Sequence, residues 1–258
     1  MNVVMWIIIS VGLPLTLVAI YALYSMVRGN HVAPIYVINL LISDLIQFCS
    51  MIVEMAVPED RRTIGHIFYL LSLFASIGFM VCIALERYLG IACPLWYRFR
   101  RTIKITVVVS VAVWVLSLAF ILPLFLGRSY MLEKIIFGVF LLLPLPLLIF
   151  FLGGTIRALS ASRVPSDEKR RIVGILVLVL LIYTLLFLPT IILVVAKEDT
   201  LDTWSLSNLS VMFVRLSPLA DLLLYVFMKK GIIDKLLASV CCCRMDSNDS
   251  SRTNRNDI

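Results

Sequence analysis

The sequence predicts an all-α integral membrane protein, a bundle of seven transmembrane helices followed by a short amphipathic eighth helix. Of its 258 residues, 61% are hydrophobic and only 15% are charged, a balance far more apolar than that of soluble domains. The charges lie in short clusters between apolar runs, and each run reaches the roughly 20 residues that cross a bilayer. These observations exclude a water-soluble fold, and the short connections leave no room for a second domain.

Seven apolar runs, taken in chain order, give the elements of this fold. Each run is bounded by charged or turn-forming residues. Barrel strands would alternate apolar and polar side chains, whereas residues 172–182 carry no polar side chain. Because backbone amides in lipid must find internal partners, helices are the spanning structure that remains. The predicted helices cover residues 3–27, 34–57, 66–90, 103–126, 134–156, 172–196 and 204–228.

The chain after the seventh helix differs in composition from the bundle. The bundle occupies residues 1–228, residues 229–243 form the amphipathic eighth helix, and residues 244–258 are polar and predicted to be disordered. Three consecutive cysteines close the amphipathic stretch behind three lysines, which favours S-acylation and anchoring at the inner leaflet. Free thiols are the alternative. The candidate acylation sites are Cys241, Cys242 and Cys243.

Lysine and arginine are divided unevenly between alternate connections. Most of the 23 basic residues fall in the loops after helices 1, 3 and 5 and in the tail, and basic loops resist translocation. We therefore expect a multi-pass plasma-membrane protein with an extracellular N-terminus and a cytoplasmic C-terminus. The basic cytoplasmic side suits anionic membrane lipid and an acidic protein surface, and no nucleic-acid partner is expected.

Two acids predicted deep in the bundle are informative, because charge at membrane depth is costly and normally faces the bundle interior or a wet cavity. Asp44 on helix 2 and Asp221 on helix 7, with the hydroxyl of Ser76 on helix 3, are expected to form a deep polar site. Two carboxylates in a low-dielectric pocket do not both ionise cheaply, so we expect a sodium ion or a shared proton there. Two separately hydrogen-bonded acids are the alternative, and no other cofactor is expected.

A second pair of charges is predicted nearer the outer side. Glu54 and Arg215 lie about 15 Å and 9 Å outward from the deep acids of their helices. An extended arginine covers the difference, particularly if Pro58 and Pro218 bend the two helices. The sequence therefore predicts either a Glu54–Arg215 ion pair that neutralises itself or an arginine that faces an anionic ligand.

Prolines are predicted inside six of the helices, where each removes a backbone hydrogen bond and bends the helix. Static kinks are common in membrane helices. A hinge at Pro189 is the sharper interpretation, because the half of helix 6 below it leads into the basic segment 169–171. The prolines are Pro14, Pro34, Pro123, Pro144, Pro146, Pro189 and Pro218.

Five short motifs occur in order along these helices. Glu86-Arg87-Tyr88 ends the third helix, and it resembles the Asp/Glu-Arg-Tyr signature of rhodopsin-like (class A) G-protein-coupled receptors. Motifs on four other helices agree with that family, and residues 93–101 are similar to the second loop of Mas-related receptors. The supporting motifs are Asn39-Leu40 with Asp44, Trp114 with Pro123, Phe187-x-Pro189 and Asp221-x-x-x-Tyr225.

The chain departs from the family pattern at four places. Thr16 replaces the asparagine of helix 1, and Leu222 replaces the proline of the helix 7 motif. The tryptophan of helix 6 is Phe187 here, and the usual tyrosine low in helix 5 is missing near residues 152–154.

The resemblance implies a receptor that transduces an extracellular ligand into activation of a heterotrimeric G-protein by outward movement of helix 6, with arrestin as a further partner. At rest, Glu86 would hold Arg87 by a charge-assisted hydrogen bond. Because residues 169–171 occupy the predicted start of helix 6, no acid there is expected to pair with Arg87, and basal activity is expected. The implied switch residues are Glu86, Arg87, Tyr88, Phe187, Pro189, Asp221 and Tyr225.

The predicted ligand pocket consists of Glu54, His66, Tyr69 and Arg215. Tyr69 stands where amine receptors carry an aspartate, which disfavours a biogenic amine. Arg215 stands where opsins carry the lysine that binds retinal, and a guanidinium forms no Schiff base. Peptides, lipids and anionic metabolites remain as ligand classes. His66 is either a proton sensor or a solvated loop histidine.

Other classes of function are weaker interpretations. No Ser/His/Asp set, zinc-ligand spacing or phosphate-binding loop occurs, so an enzyme is not expected. A small secondary transporter would use the buried charges as a substrate or proton path, but such proteins usually show paired repeats, and none is found. A signalling-silent seven-helix scaffold is the remaining alternative.

Overall fold

The structure is a computed structural model that describes residues 2–28, 35–58, 62–93, 103–126, 130–161, 166–195 and 203–228. The predicted eighth helix, the three acylation cysteines and the tail lie outside the described residues. So does most of the segment for which a likeness to Mas-related receptors is predicted.

Every regular element in the described part of the chain is an α-helix. Seven of the spans are long and apolar enough to cross a membrane, which confirms the predicted fold class. The helices are α1 (Asn2–Arg28), α2 (Ile35–Ala56), α3 (Arg62–Ala92), α4 (Ile103–Leu126), α5 (Tyr130–Leu142), α6 (Pro144–Ala161), α7 (Ser166–Val195), α8 (Thr203–Arg215) and α9 (Ser217–Met228).

The fifth and seventh spans are each interrupted once, at a position that the sequence did not predict. Leu143 separates α5 from α6, and Leu216 separates α8 from α9. A proline follows within two residues of each break, and proline suits the first turn of a helix because its missing N–H has no partner there. The breaks lose little backbone pairing, since the amide of Leu143 still donates to the Val139 carbonyl and that of Leu216 to the Met212 carbonyl.

Two expectations about proline were wrong. Helix α2 ends at Ala56, so Pro58 follows the helix and does not bend it. A proline disfavours helical backbone in the residue before it, and the chain accordingly bends at Val57. Helix α2 begins at Ile35, so the expected position of Pro34 inside that helix is not found, and Pro34 itself lies outside the described residues. Pro14, Pro123 and Pro189 lie inside continuous helices.

The sixth span begins earlier than predicted. Helix α7 starts at Ser166, which puts Asp167 and Glu168 in its first turn ahead of the basic residues. Acidic residues are favoured there because the first turn carries the positive end of the helix dipole. The expectation that only basic residues occupy the start of this helix was therefore wrong, and the expectation of basal activity loses that support.

Helix α3 runs through the middle of the bundle. It packs against α2, α4, α6 and α7, and its side chains are the most buried of any span. Helix α1 contacts α2 and α9, and α7 packs against both parts of the fifth and seventh spans. Helix α4 is apolar on all sides and mostly exposed, as expected of a helix that faces lipid. The functional side chains lie along α2, α3, α8 and α9.

Candidate functional site

A buried acidic cluster lies in the middle of the bundle. Ser76 Oγ of α3 donates a hydrogen bond to Asp221 Oδ2 of α9 at 2.9 Å. The carboxyl groups of Asp44 and Asp221 are close enough to share a proton. All three side chains are fully buried. The structure thus brings together the three residues that the sequence predicted for this deep site.

The oxygens of this cluster are only partly satisfied. Both carboxylate oxygens of Asp44 and Oδ1 of Asp221 are buried without a hydrogen-bond donor in the described part of the chain. Oxygen donors of this kind suit a hard cation or a shared proton. No group of three or more His, Cys, Asp or Glu residues that would hold a metal ion occurs among the described residues. A cation here would therefore also need hydroxyl, amide or backbone oxygens.

Gln47 extends the cluster, and sequence reasoning missed it. Its amide is fully buried one turn beyond Asp44 on α2, and neither its oxygen nor its nitrogen has a partner among the residues described. Thr16 of α1 is buried and unpaired in the same sense. The available signal was a polar amide three residues after a buried acid, which puts both side chains on one face of a helix.

The predicted ion pair is present at one end of the bundle, which we call the pocket end. Arg215 Nη2 lies 3.0 Å from Glu54 Oε2. His66 Nδ1 lies 3.6 Å from the other carboxylate oxygen of Glu54. Glu54 and Arg215 keep only 11% and 19% of their side-chain surface exposed, whereas His66 keeps 55%. Because Arg215 is the last residue of α8, the ion pair joins α2 to the break in the seventh span.

Arg215 also contacts two side chains that carry no charge. Its Nη1 lies 2.7 Å from the sulfur of Met5 on α1. Its Cζ lies 6.0 Å from the centroid of the Tyr69 ring, within the range of a cation–π contact. The hydroxyl of Tyr69 is buried and has no hydrogen-bond partner within the described ranges. Four helices therefore meet around one guanidinium.

A cavity of about 670 Å³ opens beside this ion pair. Glu54, His66 and Arg215 line it, as predicted, whereas Tyr69 lies behind the guanidinium and does not. Its volume is within the range typical of small-molecule sites. The other lining residues are Met5, Trp6, Ile52, Met55, Ala56, Arg62 and Thr63.

The opposite end of the bundle carries Glu86, Arg87 and Tyr88, and we call it the Arg87 end. Arg87 is half-buried, and its Nε has no hydrogen-bond partner in the part of the chain that the structure describes. The predicted bond between Glu86 and Arg87 stays a prediction. The ring of Tyr88 stacks on Phe151 of α6 at a centroid distance of 5.7 Å.

Gly154 makes room for Tyr88, another feature that sequence reasoning missed. A Cβ built on Gly154 would lie 2.6 Å from Cε2 of the Tyr88 ring. The ring of Tyr88 thus lies against α6 near residues 152–154, where the family's tyrosine is missing. No local signal identifies such a contact, because the two residues belong to different helices.

The aromatic residues of the sixth span connect it to the fifth. The hydroxyl of Tyr183 donates a hydrogen bond to the backbone carbonyl of Leu141, just before the break at Leu143. Tyr183 and Phe187 are both fully buried, with ring centroids 4.9 Å apart. Pro189 follows on the same helix. Sequence reasoning identified Phe187 and Pro189 but not Tyr183.

The remaining motif residues support the same bundle. Trp114 Nε1 of α4 donates a hydrogen bond to Asn39 Oδ1 of α2 at 3.3 Å. Tyr225 is half-buried on α9, one turn beyond Asp221. These contacts position helices and add no further polar cavity to the two sites described above.

Known proteins resemble this chain along most of its length. The family profile of the 7 transmembrane receptor (rhodopsin family) matches residues 15–134. G-protein coupled receptor 68 of Homo sapiens is 28% identical over 116 residues, which are 42% of this chain and 32% of that receptor. Proteinase-activated receptor 2 of Rattus norvegicus is 22% identical over 279 residues, covering 92% of this chain and 70% of the receptor. A purinoceptor of Gallus gallus is 31% identical over 135 residues, covering 48% of this chain and 40% of the purinoceptor.

The chain covers about a third of the length of the G-protein coupled receptor 68 sequences that it matches. The relatives named above do not include a Mas-related receptor, so that part of the resemblance stays a prediction. All of them are named as receptors, and with the seven apolar helices they indicate a multi-pass protein of the plasma membrane. From these matches and the arrangement of its spans, the chain belongs to the rhodopsin-like family of seven-transmembrane receptors.

Proposed function

We propose that this protein is a receptor that couples a ligand bound at the pocket end to a heterotrimeric G-protein bound at the Arg87 end. One observation carries the proposal. His66, Ser76 and Arg87 follow one another on the unbroken helix α3 at intervals of about 15 Å. The pocket, the deep acidic cluster and the arginine of the signature motif therefore lie along one buried helix.

The orientation is part of the proposal. The pocket end faces the extracellular side and the Arg87 end faces the cytoplasm. Its support is the distribution of Lys and Arg, which is heaviest in the connections on the Arg87 side. A basic inner surface suits a G-protein, with arrestin as a second partner of the same face, and it suits anionic lipid as well.

Activation requires a second packing of the bundle that exposes Arg87. A ligand produces it only by binding the two packings unequally, and a shift from 1:99 to 99:1 needs about 5.5 kcal/mol of difference. Helix α7 is the element that moves outward in this proposal, with Pro189 as its hinge. The hydrogen bond from Tyr183 to the Leu141 carbonyl holds α7 against the fifth span, so it favours the resting packing.

The deep acidic cluster would set the balance between the two packings. A sodium ion held by Asp44, Ser76 and Asp221 neutralises one of the two like charges and joins α2, α3 and α9. A shared proton does the same without an ion. Either occupant stabilises the packing in which these three side chains lie together.

The test is a cell-based panel of G-protein dissociation assays, with wild type beside Arg87→Ala and Asp44→Asn at matched surface expression. Arg157→Ala is the control, because Arg157 is an exposed arginine of α6. We expect at least one G-protein class to respond to graded expression of the wild type or to a ligand screen, and Arg87→Ala to abolish that response while Arg157→Ala keeps it. A response that survives Arg87→Ala contradicts the proposal. Absence of any response favours the silent scaffold, and substrate flux without a response favours a transporter.

A further inference from the structure

The cavity at the pocket end has more positive than negative charge on its walls. Glu54 is the one acid among the lining residues of this cavity, whereas Arg62 and Arg215 are permanent cations and His66 is a further partner of Glu54. Glu54 is already engaged by Arg215 and His66 through its two oxygens. A cationic ligand would have to compete with both partners. An anionic ligand would neutralise the excess charge.

Arg215 has donors that are poorly used. A guanidinium presents five N–H groups in a fork that matches a carboxylate or a phosphate. Glu54 accepts from Nη2, whereas Nη1 is directed at the sulfur of Met5, which is a weak acceptor. The side chain is 19% exposed, so little water replaces the missing acceptor. An oxyanion in place of the Met5 sulfur would form a stronger hydrogen bond with no loss of the Glu54 contact.

The rest of the cavity is apolar. Met5, Trp6, Ile52 and Met55 line it, and Trp6 keeps 59% of its surface exposed. A small inorganic anion would satisfy Arg215 but would leave these side chains uncovered. An alkyl chain attached to the anion would cover them and gain the free energy of burying apolar surface.

We propose that this cavity binds an anionic amphiphile, a single carboxylate or phosphate head group on an apolar chain, with the head group on Arg215 and the chain along Met5, Trp6 and Ile52. The proposal names the ligand class of the pocket whose signalling role is proposed above, and it rests on that function only for the consequence of binding. The same chemistry is offered by a free fatty acid that arrives from water and by an anionic lipid of the bilayer.

The experiment measures binding directly, so that it does not depend on signalling. The full chain is reconstituted in phosphatidylcholine nanodiscs, and radiolabelled dodecanoate is titrated against wild type. Sodium acetate supplies the head group without the chain, and dodecyltrimethylammonium supplies the chain with a cation. We expect saturable dodecanoate binding and no competition from the other two. Equal competition by dodecyltrimethylammonium would overturn the proposal.

Variants locate the head group. Glu54→Gln frees Arg215 and is expected to tighten dodecanoate binding by about tenfold, whereas the double variant Glu54→Gln/Arg215→Gln is expected to weaken it by about tenfold or more. The double variant keeps the shape of the cavity and leaves no charge of the pair unpaired, so it guards against misfolding. Arg157→Gln is the control outside the cavity. Wild-type affinity in the double variant would overturn the proposal.

Two further comparisons separate the possible sources and the two proposals. Nanodiscs that contain phosphatidic acid should compete with dodecanoate if the bilayer supplies the ligand, and should not compete if the ligand arrives from water. Specific binding without a G-protein response would leave this inference in place and refute the proposed function. A G-protein response that Arg87→Ala abolishes, in a protein that does not bind dodecanoate, would do the reverse.

Discussion

The two ends of the bundle are held together by different interactions. At the pocket end, charge joins the helices, because Arg215 of α8 bonds to Glu54 of α2 and Glu54 contacts His66 of α3. At the Arg87 end, aromatic packing joins them, because Tyr88 of α3 stacks on α6 over Gly154. Charged contacts can be exchanged for those of a ligand, whereas close packing responds to shape. The difference fits a ligand site at one end and a mechanical switch at the other.

Breaking the ion pair should have the largest effect on stability. Arg215→Gln leaves Glu54 with His66 as its remaining ion-pair partner in the described part of the chain, and we expect a loss of about 2–3 kcal/mol in the free energy of unfolding. The double variant Glu54→Gln/Arg215→Gln should lose less than half of that, since two amides hydrogen-bond to each other. Thermal unfolding of the purified protein measures both. Additive losses would show that the pair is not coupled.

Filling the space beside Tyr88 should have the next largest effect. Gly154→Ala puts a Cβ 2.6 Å from the Tyr88 ring, so the ring or α6 must shift, at a cost of about 1–3 kcal/mol. Gly153→Ala is the matched control, because a Cβ there meets nothing within 4 Å and alanine favours the helix. We expect Gly154→Ala to impair G-protein coupling and Gly153→Ala to leave coupling unchanged. Equal coupling in the two variants would argue against packing as the constraint at this end.

The acidic cluster between the two ends should respond to salt composition. Asp44→Asn removes one of two like charges and supplies an amide N–H that can donate to Asp221 Oδ1, so we expect a gain of about 1 kcal/mol in stability. The wild-type midpoint of thermal unfolding should rise when choline chloride is replaced by sodium chloride, whereas the variant should show no such rise. A sodium-dependent rise that persists in Asp44→Asn would place the ion elsewhere.

The smallest expected effect belongs to the contact between the fifth and sixth spans. Tyr183→Phe keeps the ring but removes the donor to the Leu141 carbonyl, with an expected loss of about 1 kcal/mol and increased basal G-protein dissociation. Thr184→Val is the control, because the Thr184 hydroxyl bonds only within its own helix, to the Leu180 carbonyl. Basal dissociation that is raised equally by both variants would show that the Tyr183 bond does not hold α7.

Much of the site could be predicted because it depends on position along single helices. Glu54, Asp44 and Arg215 were identified because charge at membrane depth needs a partner, and helical rise placed the partners at similar depth. Gly154 and Tyr183 could not be identified in this way. Their roles depend on which residue of a neighbouring helix lies opposite, and that is decided by the rotation and tilt of both helices.

The amino-acid sequence by itself determined the number of spans, their approximate limits and the depth of each buried charge, because all three follow from apolar run length and a rise of about 1.5 Å per residue. Only the tertiary structure decided where the fifth and seventh spans break, that Nη1 of Arg215 faces the sulfur of Met5, and that Tyr88 lies over Gly154. These features arise from packing between helices distant in sequence, where side-chain shape selects one arrangement among many that satisfy the same hydropathy.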